Sequence, residues 1–120
     1  MDFATIMKNN LDLVFGERDP ARRILQIRKI YEEDAEFHEA ERSWRGHDAI
    51  SQAVTEILEH LPEDFVFTAI RPASGHHGVG RLQWRVGSSG GPAAATGTDV
   101  ARVEGGLIRV LHVFLDQPDP

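Results

Sequence analysis

Two strand-like runs meet at Gly105-Gly106, and this junction constrains the fold more than any other feature of the chain. A two-residue Gly-Gly connection is a hairpin signal. The segment Thr96 to Asp116 therefore predicts two antiparallel strands. With Glu104 opposite Leu107 and a constant index sum, Val103 meets Ile108, Ala101 meets Val110 and Asp99 meets His112. Directly opposed residues lie about 5 Å apart at Cβ. An acid and an imidazole are thus expected side by side, on a face otherwise lined by Ala101, Val103, Ile108, Val110 and Phe114. A charge on an apolar face is costly unless it is paired or used. Proton transfer is one use.

Upstream, the apolar period is helical. Phe3, Ile6, Met7, Leu11 and Val14 mark a first helix that Gly16 can end. Asp19-Pro20 starts a second, with Asp as N-cap and Pro in the first turn. Ile24, Ile27, Ile30 and Tyr31 form its buried stripe, which places Tyr31 at the helix end. Ala35 to Glu41 reads as a short extended piece around Phe37. Gly46-His47-Asp48 opens a third helix carrying Ile50, Val54, Ile57, Leu58 and Leu61, which Pro62 ends. From residue 65 the period is two. Phe65 to Ile70 is a strand, Ala73 to His77 a loop, and Val79 to Val86 a strand with Leu82, Trp84 and Val86 on one face. Arg81, Gln83 and Arg85 take the other face. No linker, repeat or low-complexity segment interrupts the chain, so residues 1–120 read as one domain, three helices followed by a meander of four strands.

Composition removes several function classes. No apolar run reaches the length of a membrane span. No basic stretch followed by a long apolar one marks a secretory signal. The chain has no cysteine, which removes disulfides and thiolate metal sites and suits a reducing cytoplasm. A formal net charge of −6 argues against a nucleic-acid partner.

The residues Ile30-Tyr-Glu-Glu-Asp-Ala-Glu-Phe37, Arg45-Gly-His-Asp-Ala-Ile50, Gly97 to Ile108 and Phe114-Leu-Asp116 appear in an order that resembles the SnoaL-like branch of the nuclear transport factor 2-like superfamily. The resemblance spans nearly the whole chain. It implies an α+β fold, three N-terminal helices packed on a strongly curved, mostly antiparallel sheet, cone-shaped around an enclosed pocket for a small hydrophobic molecule. Asp99 matches the acid that SnoaL-like polyketide cyclases use as general acid/base. His112 falls where family members put a second polar pocket residue. Glu39 looks like the catalytic acid that ketosteroid isomerase-like members carry after the first strand, one methylene longer. Those isomerases also use a tyrosine on the oxyanion, whereas the only tyrosine here is Tyr31. Epoxide hydrolases of this fold bridge two aspartates with an arginine, an arrangement with no counterpart here.

The expected site is therefore Asp99, His112 and Glu39 for chemistry, with Trp84, Phe37, Trp44, Phe114 and Tyr31 holding the ligand. The pair Asp99–His112 has no Ser or Cys nucleophile in register, which disfavours a hydrolase triad. Adjacent histidines in a strand point to opposite faces, so His76-His77 reads as a solvated loop. His38-Glu39-Ala40-Glu41-Arg42 lacks the second histidine of the HExxH zinc motif. Gly87 to Pro92 joins two strands and precedes no helix, so it is no phosphate cradle. No metal and no cofactor are called for. The outer face of the last hairpin, with Val100, Leu111, Val113 and Leu115, is apolar enough to expect a homodimer. Isomerase- or cyclase-type proton transfer is the leading function. A ligand-binding module without catalysis and a dimerisation domain of the same fold are the alternatives.

Overall fold

Asp19 caps the second helix as the sequence predicts, its side chain accepting from the Ala21 N–H at 3.0 Å, with Pro20 in the first turn. In the computed structural model, which describes residues 2–116, that helix is α2, Pro20–Ile30. Before it, α1 (Phe3–Asn9) passes directly into a π-helical turn, Asn10–Phe15. The Gly16 N–H bonds the Leu11 carbonyl at 2.9 Å across five residues. Asn10, Leu11, Val14 and Phe15 of this wider turn are all buried. The third helix is α3, His47–Glu59, with Asp48 in its first turn.

Among the described residues seven strands make one sheet: β1 (Tyr31–His38), β2 (Ser43–Arg45), β3 (Phe65–Ala69), β4 (Ser74–His76), β5 (Val79–Ser88), β6 (Ala95–Glu104) and β7 (Leu107–Leu115). The order is β2-β1-β7-β6-β5-β3, with β4 also on β5. All pairs are antiparallel except β1 with β7. The expected α+β class and mostly antiparallel sheet are therefore observed. The sheet curves without closing. The four-strand meander is present, enlarged by β1, β2 and β4. Tyr31 is the first residue of β1, since the chain leaves α2 straight into extended backbone. The strand thus begins four residues before the expected extended piece. Around His77, the expected loop is a second tight hairpin, turning through His77 and Gly78 at φ 52° and 79°.

The turn at Gly105-Gly106 is present, with both glycines at positive φ (60° and 82°), a conformation their missing Cβ permits. The register beyond it differs from a constant sum. Val103 opposes Ile108, but Arg102 opposes Val110, leaving Arg109 as an extra residue. This bulge shifts every later pair by one. Asp99 consequently faces Val113, and His112 faces Val100. Leu111 replaces Val110 in the core, while Val110, His112 and Phe114 move to the outer face. Leu111, Val113 and Leu115 therefore turn from the outer surface expected to bind a second copy to the inner face. Arg109 is held by Glu32 at 2.7 Å and lies 3.6 Å from Glu104.

The core lies between the helices and the concave face of the sheet. Met7, Leu11, Val14, Ile27, Ile50 and Val54 pack against Leu82, Trp84, Ala101, Val103, Ile108 and Leu111. Arg23 is buried with them. It donates to the carbonyls of Glu17 and Ser51 and to the Thr55 hydroxyl, which ties α2 to α3. Among the described residues no helix is long and apolar enough to cross a membrane.

Candidate functional site

The bulge leaves Asp99 pointing inward from β6, where it is 2% exposed. Alternation along β5 sends Trp84 to the same face, two strand positions from the Leu82 that opposes Asp99. The Trp84 Nε1–H donates to Asp99 Oδ1 at 2.8 Å. Among the described residues no donor reaches the second carboxylate oxygen. This geometry depends on Gly97, directly opposite Trp84. A Cβ there would stand 2.4 Å from the Trp84 ring and 2.8 Å from the Phe114 carbonyl oxygen. Burial pushes the Asp99 carboxyl up to about 7, and the Trp84 bond opposes that rise.

Asp99 lies in the wall of a cavity of about 390 Å³. Leu11 and Phe15 of the π turn, Ala53 and Ile57 of α3, Phe67 of β3, Trp84 and Val86 of β5 and Val113 of β7 supply most of its lining. The volume lies in the range of small-molecule sites, about 300–1,000 Å³. Glu39, Arg42, Trp44, Glu56, His60 and Leu115 also line it, and of these Arg42, His60 and Leu115 are exposed, so they form the rim. Glu39 is partly buried, and burial raises its carboxyl above the usual range. Arg42 opposes the rise and Glu56 adds to it.

Of the eight expected residues, Asp99, Glu39, Trp84 and Trp44 meet at this cavity. Phe37 is fully buried behind it, edge-on to Phe15 and stacked on Trp44 at 5.0 Å, so it supports lining rings and does not itself line the cavity. Tyr31 also stands behind the wall. Its hydroxyl donates to Asn10 Oδ1 at 2.5 Å. Burial first, and then the Asp99 charge, raises its ionisation well above 10. His112 and Phe114 are on the outside. His112 stacks on His38 at 5.0 Å, and Phe114 is 57% exposed. The expected Asp99–His112 pair is thus replaced by Asp99–Trp84. The two histidines of the β4–β5 turn do not diverge as strand neighbours would. His77 adopts a left-handed conformation, which brings the two Nδ1 atoms to 2.9 Å. His47 donates from Nε2 to the Tyr31 carbonyl at 3.0 Å.

Sequence reasoning missed Glu56, His60 and Arg42. Ala53, Glu56, Ile57 and His60 recur at helical spacing, which puts them on one face of α3 and its C-cap. That spacing was the available signal. Asn10 was missed as well. It is fully buried, and among the described residues its Nδ2 has no hydrogen-bond partner. Replacing Tyr31 by Phe should leave the Asn10 oxygen unpaired too. We expect a loss of about 1–3 kcal/mol in urea unfolding, the cost of a buried unsatisfied acceptor, with unchanged far-UV circular dichroism.

Comparison with known proteins agrees with this architecture. A sequence profile described as the SnoaL-like domain matches residues 12–111. A candidate isomerase of the SnoaL-like family from Agrobacterium tumefaciens superposes with a TM-score of 0.85 at 25% identity, over 94% of this chain and 96% of that one. A candidate SnoaL-like polyketide cyclase from Jannaschia sp. gives 0.76 at 11% identity, over 95% and 85%. A candidate ketosteroid isomerase from Kribbella flavida gives 0.70 at 13%, over 98% and 82%. The last two likenesses speak for the fold alone. No curated protein matches the chain. With the profile spanning most of the sequence and the curved sheet sharing its neighbours' architecture, the chain belongs to the SnoaL-like domain family.

Proposed function

We propose that the chain takes a small, largely apolar molecule into the cavity and moves a proton on it, an isomerisation or cyclisation that needs no cofactor. Asp99 is the acid and base. One observation carries this reading: a carboxyl with almost no solvent exposure lines an apolar cavity, with one hydrogen-bond donor and one oxygen without a donor. General acid/base catalysis works best when the group's pKa lies near the operating pH, and burial brings Asp99 to about 7. Ionised Asp99 takes a proton from carbon next to a carbonyl and returns it elsewhere on the same molecule. Trp84 keeps the carboxylate oriented while its free oxygen reacts. Glu39 is a second carboxyl at the rim. The candidate isomerase of the SnoaL-like family lends this class of chemistry further support.

Two expectations remain as separate proposals. Two copies pair through the outer sheet face, where Val100 and Phe114 stand, and the protein acts in the cytoplasm. Sedimentation velocity tests the first.

The chemistry is tested by incubating the protein in D2O with a panel of small cyclic ketones and enones and following deuterium uptake by NMR. Uptake next to the carbonyl should exceed the buffer rate and rise with pH to a plateau, with a midpoint near 7, the ionisation of Asp99. Saturable binding without uptake across the panel would leave a ligand-binding site and no catalyst.

A further inference from the structure

The rim of the cavity differs in chemistry from its depth. Two half-buried carboxylates, Glu39 and Glu56, stand there beside the exposed Arg42 guanidinium and His60 imidazole. The Arg42 Cζ lies 4.6 Å from the centre of the Trp44 ring, and its Nη1 lies 3.0 Å from Glu56 Oε2. The face of Trp44 and the Glu56 carboxylate thus already hold a cation at the mouth. That cation belongs to an exposed side chain on the short β1–β2 connection. Exposed ion pairs and cation–π contacts each contribute little, so Arg42 can swing away at small cost. Glu39 makes no ion pair among the described residues, and its carboxyl is partly desolvated. An anionic ligand end would meet both acids at close range, a repulsion that rejects it.

We propose that the cavity mouth is a cation-recognition subsite, filled by Arg42 in the structure, and that the ligand carries an ammonium or similar cationic group at one end of an apolar body. This rests on the cavity reading above. The ligand's cation takes the place of the guanidinium over Trp44 and beside Glu56. Its apolar body lies against Phe15, Ile57 and Val113, and its reacting end reaches Asp99.

Three rigid probes with one apolar body test it: 1-adamantylmethylammonium, 1-adamantylmethanol and 1-adamantanecarboxylate. The only two tryptophans in the sequence, Trp44 and Trp84, both line the cavity, so intrinsic fluorescence reports binding. The ammonium should bind about tenfold tighter than the alcohol, and the carboxylate most weakly. That preference should shrink in the Glu39→Gln/Glu56→Gln variant, grow in Arg42→Ala and persist in Asp99→Asn. Equal affinity for ammonium and alcohol overturns the proposal and leaves the cavity reading intact. So does a preference for the carboxylate that Arg42→Ala abolishes, or an ammonium preference lost in Asp99→Asn and kept in the double variant. Failure of all three probes to bind overturns the cavity reading and this proposal with it.

Discussion

Asp99→Asn should abolish proton exchange and, above neutral pH, make the protein more stable. Both effects come from the same burial. Asparagine has the size of aspartate, and its amide oxygen can still accept the Trp84 N–H, so the wall keeps its shape. It cannot take a proton, and losing a general base costs roughly 10²- to 10⁴-fold in rate. The stability effect follows from linkage. In the unfolded chain Asp99 titrates near 3.8, and in the folded protein near 7. The folded state therefore holds a proton that the unfolded state has released, and stability falls as pH rises through that window. The interval corresponds to a penalty of order 4 kcal/mol once both states are ionised. The neutral amide of the variant carries no such penalty. Other carboxylates titrate alike in both proteins, so the difference between them isolates residue 99. Urea unfolding at pH 4 and pH 8 should show variant and wild type nearly equal in acid and the variant ahead by a few kcal/mol in base. A wild type whose deficit does not grow between those pH values would mean that Asp99 is solvated.

This prediction concerns the residue the sequence placed best, and the reason is instructive. The inward face of β6 could be found because Asp99, Ala101 and Val103 alternate without ambiguity from a recognisable turn. Its partner strand could not. Leu107 to Leu115 carries apolar residues at both odd and even positions, so either face could turn inward. Hydrophobic pattern fixes register only when one face is polar. The structure uses that freedom to insert Arg109 as a bulge, satisfy it with Glu32, and bury Leu111 in place of Val110. One extra residue moved His112 from the predicted pair to the surface. The π turn escaped for a similar reason, since Leu11 and Val14 fit an ordinary helix and only Asn10 marks the change. Tyr31 was misplaced because α2 ends without a loop or a glycine to announce it. By contrast, Asp19-Pro20, Gly46-His47 and the Leu82-Trp84-Val86 face rest on local capping and alternation, which tertiary contacts did not override. The rim residues Glu56 and His60 had the right spacing, but their polarity made them look like solvent-facing surface.

Gly97→Ala should weaken the fold and raise the Asp99 titration through one displaced ring. The methyl group would overlap Trp84 Cζ2 at 2.4 Å and the Phe114 carbonyl oxygen at 2.8 Å. The carbonyl belongs to the β6–β7 ladder, where Thr98 pairs with Phe114, and is the harder of the two to move. The indole must therefore tilt. Overpacking of this kind costs about 1–3 kcal/mol. Tilting also withdraws the Nε1–H from Asp99, whose charged form loses its donor. A hydrogen bond to a charged group contributes about 1.5–3 kcal/mol, so the carboxyl should titrate roughly one to two pH units higher. Carbon-13 NMR of the aspartate carboxyl follows that midpoint without any substrate. Trp84→Phe removes the donor directly and should raise the midpoint by a similar amount. The two changes act on the same contact, so they should not add. In the Gly97→Ala/Trp84→Phe double variant the smaller ring leaves room for the methyl, and the midpoint should match that of Trp84→Phe alone. A Gly97→Ala protein that keeps the wild-type midpoint would show that the indole is not what holds Asp99, and that its charge is set by burial alone.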